Sequence, residues 1–247
     1  MGYKLLNRDI LATVAAKYQI DAAKLSEALK TTPSLFKKLP SREWHYYLAC
    51  VEADALDKLM ADNIVCQGLA AHLYVTDVSH AMKVRVLSGN RQGIQAIAEK
   101  SGISLQKAEK WRASELLQRK KWSLAAYNYD ETDLTRYDLV INLDQIDPAE
   151  AVKTINGAAA YRKFQVMTYS MKSLSDLVLA AKVNSALLQS MADVRVQARD
   201  GSVVVLTRAS NRQKSKKIET IKSLAGNVEG VSYVEVHVKK NILGEIN

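Results

Sequence analysis

The sequence predicts an α/β domain built on a parallel sheet, followed by a small α+β module of order αββαβ. Three observations carry this expectation. As far as Tyr161, short apolar runs alternate with amphipathic helical patterns, as parallel strands joined by crossover helices do. Near the other end, two alternating runs flank Asp200-Gly201, a strong hairpin signal. With only three prolines and ten glycines in 247 residues, the chain has too few tight-turn residues for an all-β sandwich or barrel.

Tyr3 to Leu6 is a short apolar run. Ile10, Leu11, Val14 and Ala15 then recur at helical spacing through Tyr18, with Asn7 or Asp9 placed to cap them. A second short helix fits Asp21 to Leu29, and Thr31 to Pro40 reads as a loop carrying Lys37-Lys38. A long helix opens at Ser41 and runs to about Asp62, its apolar stripe made by Trp44, Tyr47, Leu48, Val51, Ala55, Leu59 and Met60. Ile64 to Cys66 and Met82 to Leu87 are strand candidates.

Helical pattern resumes at Ile94, Ile97 and Ala98 and stops at Gly102. Ser104 begins a long charged helix. Its expected apolar side holds Leu105, Ala108, Trp111, Leu116 and Leu117; its polar side holds Lys107, Lys110, Arg112, Arg119, Lys120 and Lys121. Tyr137 to Leu143 is continuously apolar after its first residues, as a strand buried on both faces should be. Asp147-Pro148 opens the next helix with proline at its first position. Residues 162–172 lack a period and read as a linker between a domain at 1–161 and a module at 173–240. In that module Leu174 to Leu188 is helical, Val194 to Ala198 and Val203 to Thr207 pair as a hairpin, Ile218, Ile221 and Leu224 mark a helix, and Val231 to Val238 is the last strand.

The formal charge is +9. From Lys172 to Lys240, twelve Lys/Arg face six Asp/Glu, a net of +6 in about a quarter of the chain. Such clustering draws anionic partners at long range, and a well-solvated face explains it equally well. Cys50 and Cys66 are too few for a disulfide framework and suit buried thiols in a reducing cytosol. No apolar run is long enough to cross a bilayer, and the first residues lack a signal-peptide core. The expected location is cytoplasmic, or peripheral at a membrane. The four histidines form no ligand pair, and no cofactor is expected.

Four stretches are similar to the cytidylate-kinase-like family of P-loop nucleoside monophosphate kinases: GYKLLNRDILATVAAKY, NIVCQGLAAHL, HAMKVRVLSGNRQGI and TRYDLVINLDQIDPAEAV. The resemblance implies a P-loop-kinase-like parallel sheet in strand order 2-3-1-4-5, entered here at its second strand and so lacking its first. No GxxxxGKS, GxxxxGKT or glycine-rich equivalent occurs in these residues. Gln67 stands where the family turn has an arginine, and Gly93 where another is expected, with Arg91 two residues before it. Arg8, Arg91, Arg119 and Asn142 are the remaining members of a nucleotide-like pocket. Three outcomes follow for the sheet: the phosphate loop is missing from this sequence only, the third and fourth family strands pair directly, or another chain supplies a strand.

From Ser173 to Lys240 the chain resembles a BON domain, through SLSDLVLAAKVNSALL, VRVQARDGSVVVLT and VSYVEVHV. The resemblance implies association with phospholipid surfaces or tethering. Arg208, Arg212, Lys214, Lys216 and Lys217 form a candidate anion-binding patch, or alternatively a solvated helix face. Nucleic acid fits less well, because aromatic residues do not interleave with these cations.

The expectation is therefore a kinase-like protein without a phosphate-binding loop, catalytically inactive or impaired, acting as a binding, scaffold or regulatory protein. Its partners would be a protein or a second copy, an anionic lipid surface, or a nucleoside phosphate. Two alternatives stand beside it: an active (d)CMP kinase whose loop is missing from this sequence, and a structural subunit of a larger complex.

Overall fold

The computed structural model describes residues 2–32, 42–88 and 91–239. In chain order its elements are β1 (Lys4–Leu6), α1 (Ile10–Tyr18), α2 (Ala22–Ala28), α3 (Arg42–Leu59), β2 (Ile64–Cys66), α4 (Ala71–Tyr74), β3 (Val84–Leu87) and α5 (Arg91–Ser101). There follow α6 (Leu105–Tyr127), β4 (Leu139–Asn142), α7 (Pro148–Ala159), α8 (Thr168–Leu188), β5 (Val194–Arg199), β6 (Ser202–Thr207), α9 (Lys214–Gly226) and β7 (Tyr233–Val238). The loop expected around Lys37-Lys38, and Lys240 at the expected module end, lie outside the described residues.

Packing divides the described chain into two compact units. One holds residues 30–32 and 78–167; the other holds 2–29, 42–77 and 168–239. In the first, β3 and β4 pair in parallel, Val84 opposite Leu139 through Leu87 opposite Asn142. Ser104 caps α6 by accepting the Lys107 N–H, and Asp147 caps α7 by accepting from Ala149 and Glu150. These side chains satisfy N–H groups that a helix start leaves without partners. Gly102, at φ +63°, supplies the left-handed residue between α5 and α6.

Two expectations fail here. β4 is not buried on both faces: Ile141 is buried but Val140 is exposed, because β4 lies in a two-stranded sheet. Of the expected apolar side of α6, Ala108 alone is buried. Leu105, Trp111, Leu116 and Leu117 are exposed, while Trp122 and Ser123 are buried. The helix is 23 residues long, and its packed side follows the residues that meet α5 and the segment after α6 rather than its apolar content.

In the second unit β1 and β2 pair in parallel, with Lys4 opposite Ile64. Among the described residues β2 pairs with β1, and β3 with β4. Helices α1, α2 and α3 bury Leu11, Val14, Leu25, Trp44, Leu48 and Leu56. Trp44 donates its indole N–H to the Ala28 carbonyl at 3.1 Å, which lets a large ring be buried without an orphan donor.

The αββαβ segment forms as expected, with β5-β6 antiparallel and β6-β7 parallel in one three-stranded sheet. Asp200 and Gly201 both take positive φ, 53° and 79°, the requirement of a two-residue type I′ hairpin. Its core joins Val183, Leu187 and Leu188 of α8 to Val194, Val203, Val205, Ile221 and Ala225. Ala49 of α3 belongs to the same cluster. Asp57 of α3 also pairs with Lys182 of α8 at 2.6 Å. Within residues 162–172, Arg162–Phe164 form a 3-10 turn, and α8 begins at Thr168.

Candidate functional site

The four residues of the nucleotide-like pocket fall in different local settings. Arg8 follows β1 and donates its Nε–H to the Gly68 carbonyl at 3.1 Å. Gly68 has φ +75°, and a Cβ there would come within 3.5 Å of Arg8 Nε, so this turn accepts the guanidinium closely. The Gln67 N–H continues the pairing by donating to Leu6 at 2.8 Å. Asn142 ends β4, and its side-chain oxygen accepts the Asp144 N–H at 3.0 Å, shaping the turn that leads to α7. Arg91 stands in the first turn of α5, and its side chain lies outside the described residues. Arg91, Arg119 and Asn142 share the first unit, whereas Arg8 belongs to the second.

Arg119 has the most defined setting. Its Nε and Nη2 donate to the two carboxylate oxygens of Glu131, at 2.5 and 2.7 Å, a bidentate pair. Its guanidinium lies 4.3 Å from the Trp122 ring centroid. Glu131 is buried and fixed by its backbone: its N–H donates to Ser123 Oγ at 3.2 Å, and its carbonyl accepts from Tyr137 Oη at 2.8 Å. Beside this pair, Lys120 and Thr132 hold the half-buried Asp130 carboxyl down at about 2 through hydrogen bonds. Glu131 is the residue that sequence reasoning missed. It lies in a polar connection, YDETD, with no period to mark it as inward-facing.

A second charged group surrounds Asp138. Its carboxylate meets Lys83 at 3.4 Å and Lys163 at 2.8 Å and accepts the Lys83 N–H at 2.9 Å. Burial pushes this carboxyl up. The hydrogen bonds from Lys163 and the Lys83 backbone, with both lysine charges, outweigh burial and hold it below the usual carboxylate range.

The five cations expected to form an anion patch are sorted by the structure. Lys216 and Lys217 line a cavity of about 320 Å³ with Ser190, Met191, Ala192, Gln213 and Thr220. Arg208 contributes its carbonyl, which accepts from Lys217 Nζ at 2.7 Å. Arg212 and Lys214 are exposed and do not line the cavity. Burial lowers the Lys217 pKa, with Asp193 acting in the opposite sense. The wall formed by Ser190, Met191 and Ala192 had no sequence signal, since it comes from the turn between α8 and β5.

Cys50 and Cys66 are both free thiols. Burial pushes Cys50 up to about 12 and Cys66 up to about 11, so neither is poised as a thiolate nucleophile. No helix among the described residues is long and apolar enough to cross a membrane.

The sequence model of the cytidylate kinase-like family matches residues 1–145. No curated protein and no solved structure matches the chain.

Proposed function

Because the chain belongs to the cytidylate kinase-like family, we propose that it keeps part of that family's scaffold and works by binding, with phosphoryl transfer lost or severely impaired. The observation that carries this reading is the position of Arg119, bound bidentately to buried Glu131 and stacked on Trp122. A guanidinium committed in this way cannot at the same time serve a transferring phosphoryl group. That transition state is stabilised mainly by converging charges and backbone N–H groups. By the family resemblance, Gln67 stands where the family turn has an arginine.

In this reading the α/β part is a scaffold or a nucleoside-phosphate sensor, with Arg91 and Asn142 of the first unit as its candidate contacts. The BON-like αββαβ part attaches it to an anionic surface or a protein partner. The test is purified protein with ATP and CMP or dCMP, followed by nucleotide chromatography. The expected result is no diphosphate product above the enzyme-free blank. Brisk turnover would overturn the reading in favour of an active nucleoside monophosphate kinase, the alternative that family membership itself supports.

A third reading, a subunit of a larger assembly, draws support from the parallel strand pairs. Leu5 and Val65 on one pair, and Val86 and Val140 on the other, are exposed apolar residues. Parallel sheets are ordinarily covered on both faces. Size-exclusion chromatography with light scattering tests this, and a well-behaved monomer counts against it.

A further inference from the structure

Helix α9 begins with Lys214, Ser215, Lys216 and Lys217 and has no acidic residue in its first turn. Cations are ordinarily disfavoured there, because the start of a helix carries partial positive charge and favours carboxylates. The capping residue, Gln213, makes no side-chain capping bond. Local electrostatics and local sequence therefore disagree at this helix start, and such disagreement is found at functional sites.

The cavity gives that disagreement a physical outlet. It opens beside the same turn, with Lys216, Lys217, Gln213 and Thr220 on one side and Ser190, Met191 and Ala192 on the other. Lys217 is held in place by its 2.7 Å bond to the Arg208 carbonyl, whereas Lys216 is exposed at the rim. Burial has already cost Lys217 part of its hydration, so a neighbouring anion gains more from it than from a fully solvated lysine. Ser190, Ala192, Gln213, Lys216 and Thr220 are exposed, so the cavity is a shallow depression open to solvent, which an anionic head with a short substituent can reach directly.

We propose that this cavity binds a phosphomonoester group, with the Lys216 and Lys217 ammonium groups and the Gln213 side chain at the phosphate and Met191 and Ala192 along its substituent. Two adjacent cations suit a dianion, and the apolar wall suits a carbon chain rather than a bare ion. The proposal deepens the reading of the αββαβ part as the anion-binding half, and it rests on that reading. The phosphate could belong to a soluble metabolite or to a lipid head group, and both present the same chemistry to the two lysines.

The test uses the full chain and three proteins: the unaltered protein, Lys216→Ala, and Lys214→Ala. The last removes the same charge from the same helix but does not line the cavity. Lys217 is left in place because its removal would strip the Arg208 carbonyl of its donor. Calorimetric titration with inorganic phosphate and glycerol 3-phosphate is paired with flotation on phosphatidylcholine vesicles, with and without phosphatidic acid. Lys216→Ala is expected to weaken glycerol 3-phosphate about tenfold, and Lys214→Ala less than about twofold.

Equal weakening by the two variants, or no binding of either soluble phosphate at about 10 mM, would overturn the proposal. If phosphatidic acid vesicles bind the protein and glycerol 3-phosphate competes, the lipid head group is the source. If soluble phosphate binds without flotation, the source is a free phosphomonoester. Flotation that phosphate cannot compete with, and that both variants share, refutes the cavity while the broader anionic-surface reading survives. Loss of flotation and of titration together removes both.

Discussion

Replacing Arg119 by alanine should destabilise the unit containing β3, β4 and α6 by about 3–5 kcal/mol, the usual consequence of leaving a buried charge without its partner. The structure places the effect in that range. The Glu131 side chain is 3% exposed and that of Arg119 27%, so the carboxylate is the partner that water cannot reach. Two unit charges about 4 Å apart interact by about 4 kcal/mol at an effective dielectric of 20. Glu131 cannot swing outward to recover its hydration, because Ser123 and Tyr137 hold its backbone on both sides. Losing the stack on Trp122 adds about 0.5–1 kcal/mol.

Glu131→Gln should cost less, about 1–2 kcal/mol, since the guanidinium keeps a route to water. The double change Arg119→Met with Glu131→Leu should recover most of the loss, because an apolar pair of similar volume avoids desolvating charge. Differential scanning calorimetry measures all three. In a unit of about ninety residues, each kcal/mol moves the midpoint by about 4–8 °C. If Arg119→Ala costs less than about 1 kcal/mol, the pair is not structural. Arg119 would then be free to turn toward a ligand, and the case for a committed cation would fail.

Three further outcomes follow from the geometry. Gly201→Ala should cost about 1–3 kcal/mol in urea denaturation, because φ is +79° and the new Cβ would stand 2.8 Å from Ser232 Oγ; an unchanged midpoint would refute the type I′ assignment. Cys50 should react with a chromogenic disulfide reagent far more slowly in the native protein than in denaturant, being fully buried with its thiol pushed up to about 12. Rapid native labelling of both thiols would contradict this packing. Asp138 is held below its unfolded value near 4, so its contribution is complete above that pH and is lost as the pH falls through the lower folded value. Asp138→Asn should flatten the acid limb of the stability curve, and an unaltered limb would show that Lys83 and Lys163 do not act on it.

Local structure was legible wherever one residue has one physical role. Ser104 and Asp147 cap the helices they were expected to start, and Asp200-Gly201 makes the turn its dihedral preferences allow. The α1 span agrees to the residue on its apolar spacing, although Asp9 makes no side-chain capping bond. Reading failed where burial depends on a distant partner. Trp111 and Trp122 look alike on the helical pattern of α6, yet Trp111 is half exposed and Trp122 fully buried. Trp122 packs against Tyr127 and lies under Arg119, contacts that a helical pattern does not reveal. The cavity was half legible for the same reason: its lysines form a visible run, while its opposite wall comes from a turn without a pattern.

The contact between α3 and α8 has a consequence for how the protein is made. During synthesis, α3 leaves the ribosome about a hundred residues before α8 does. At 5–20 residues per second, Ala49 and Tyr46 wait on the order of 5–20 s for the surface that covers them. A chain truncated before Thr168 would leave them waiting indefinitely, so α8 and the strands after it complete the folding of a helix made well over a hundred residues before them.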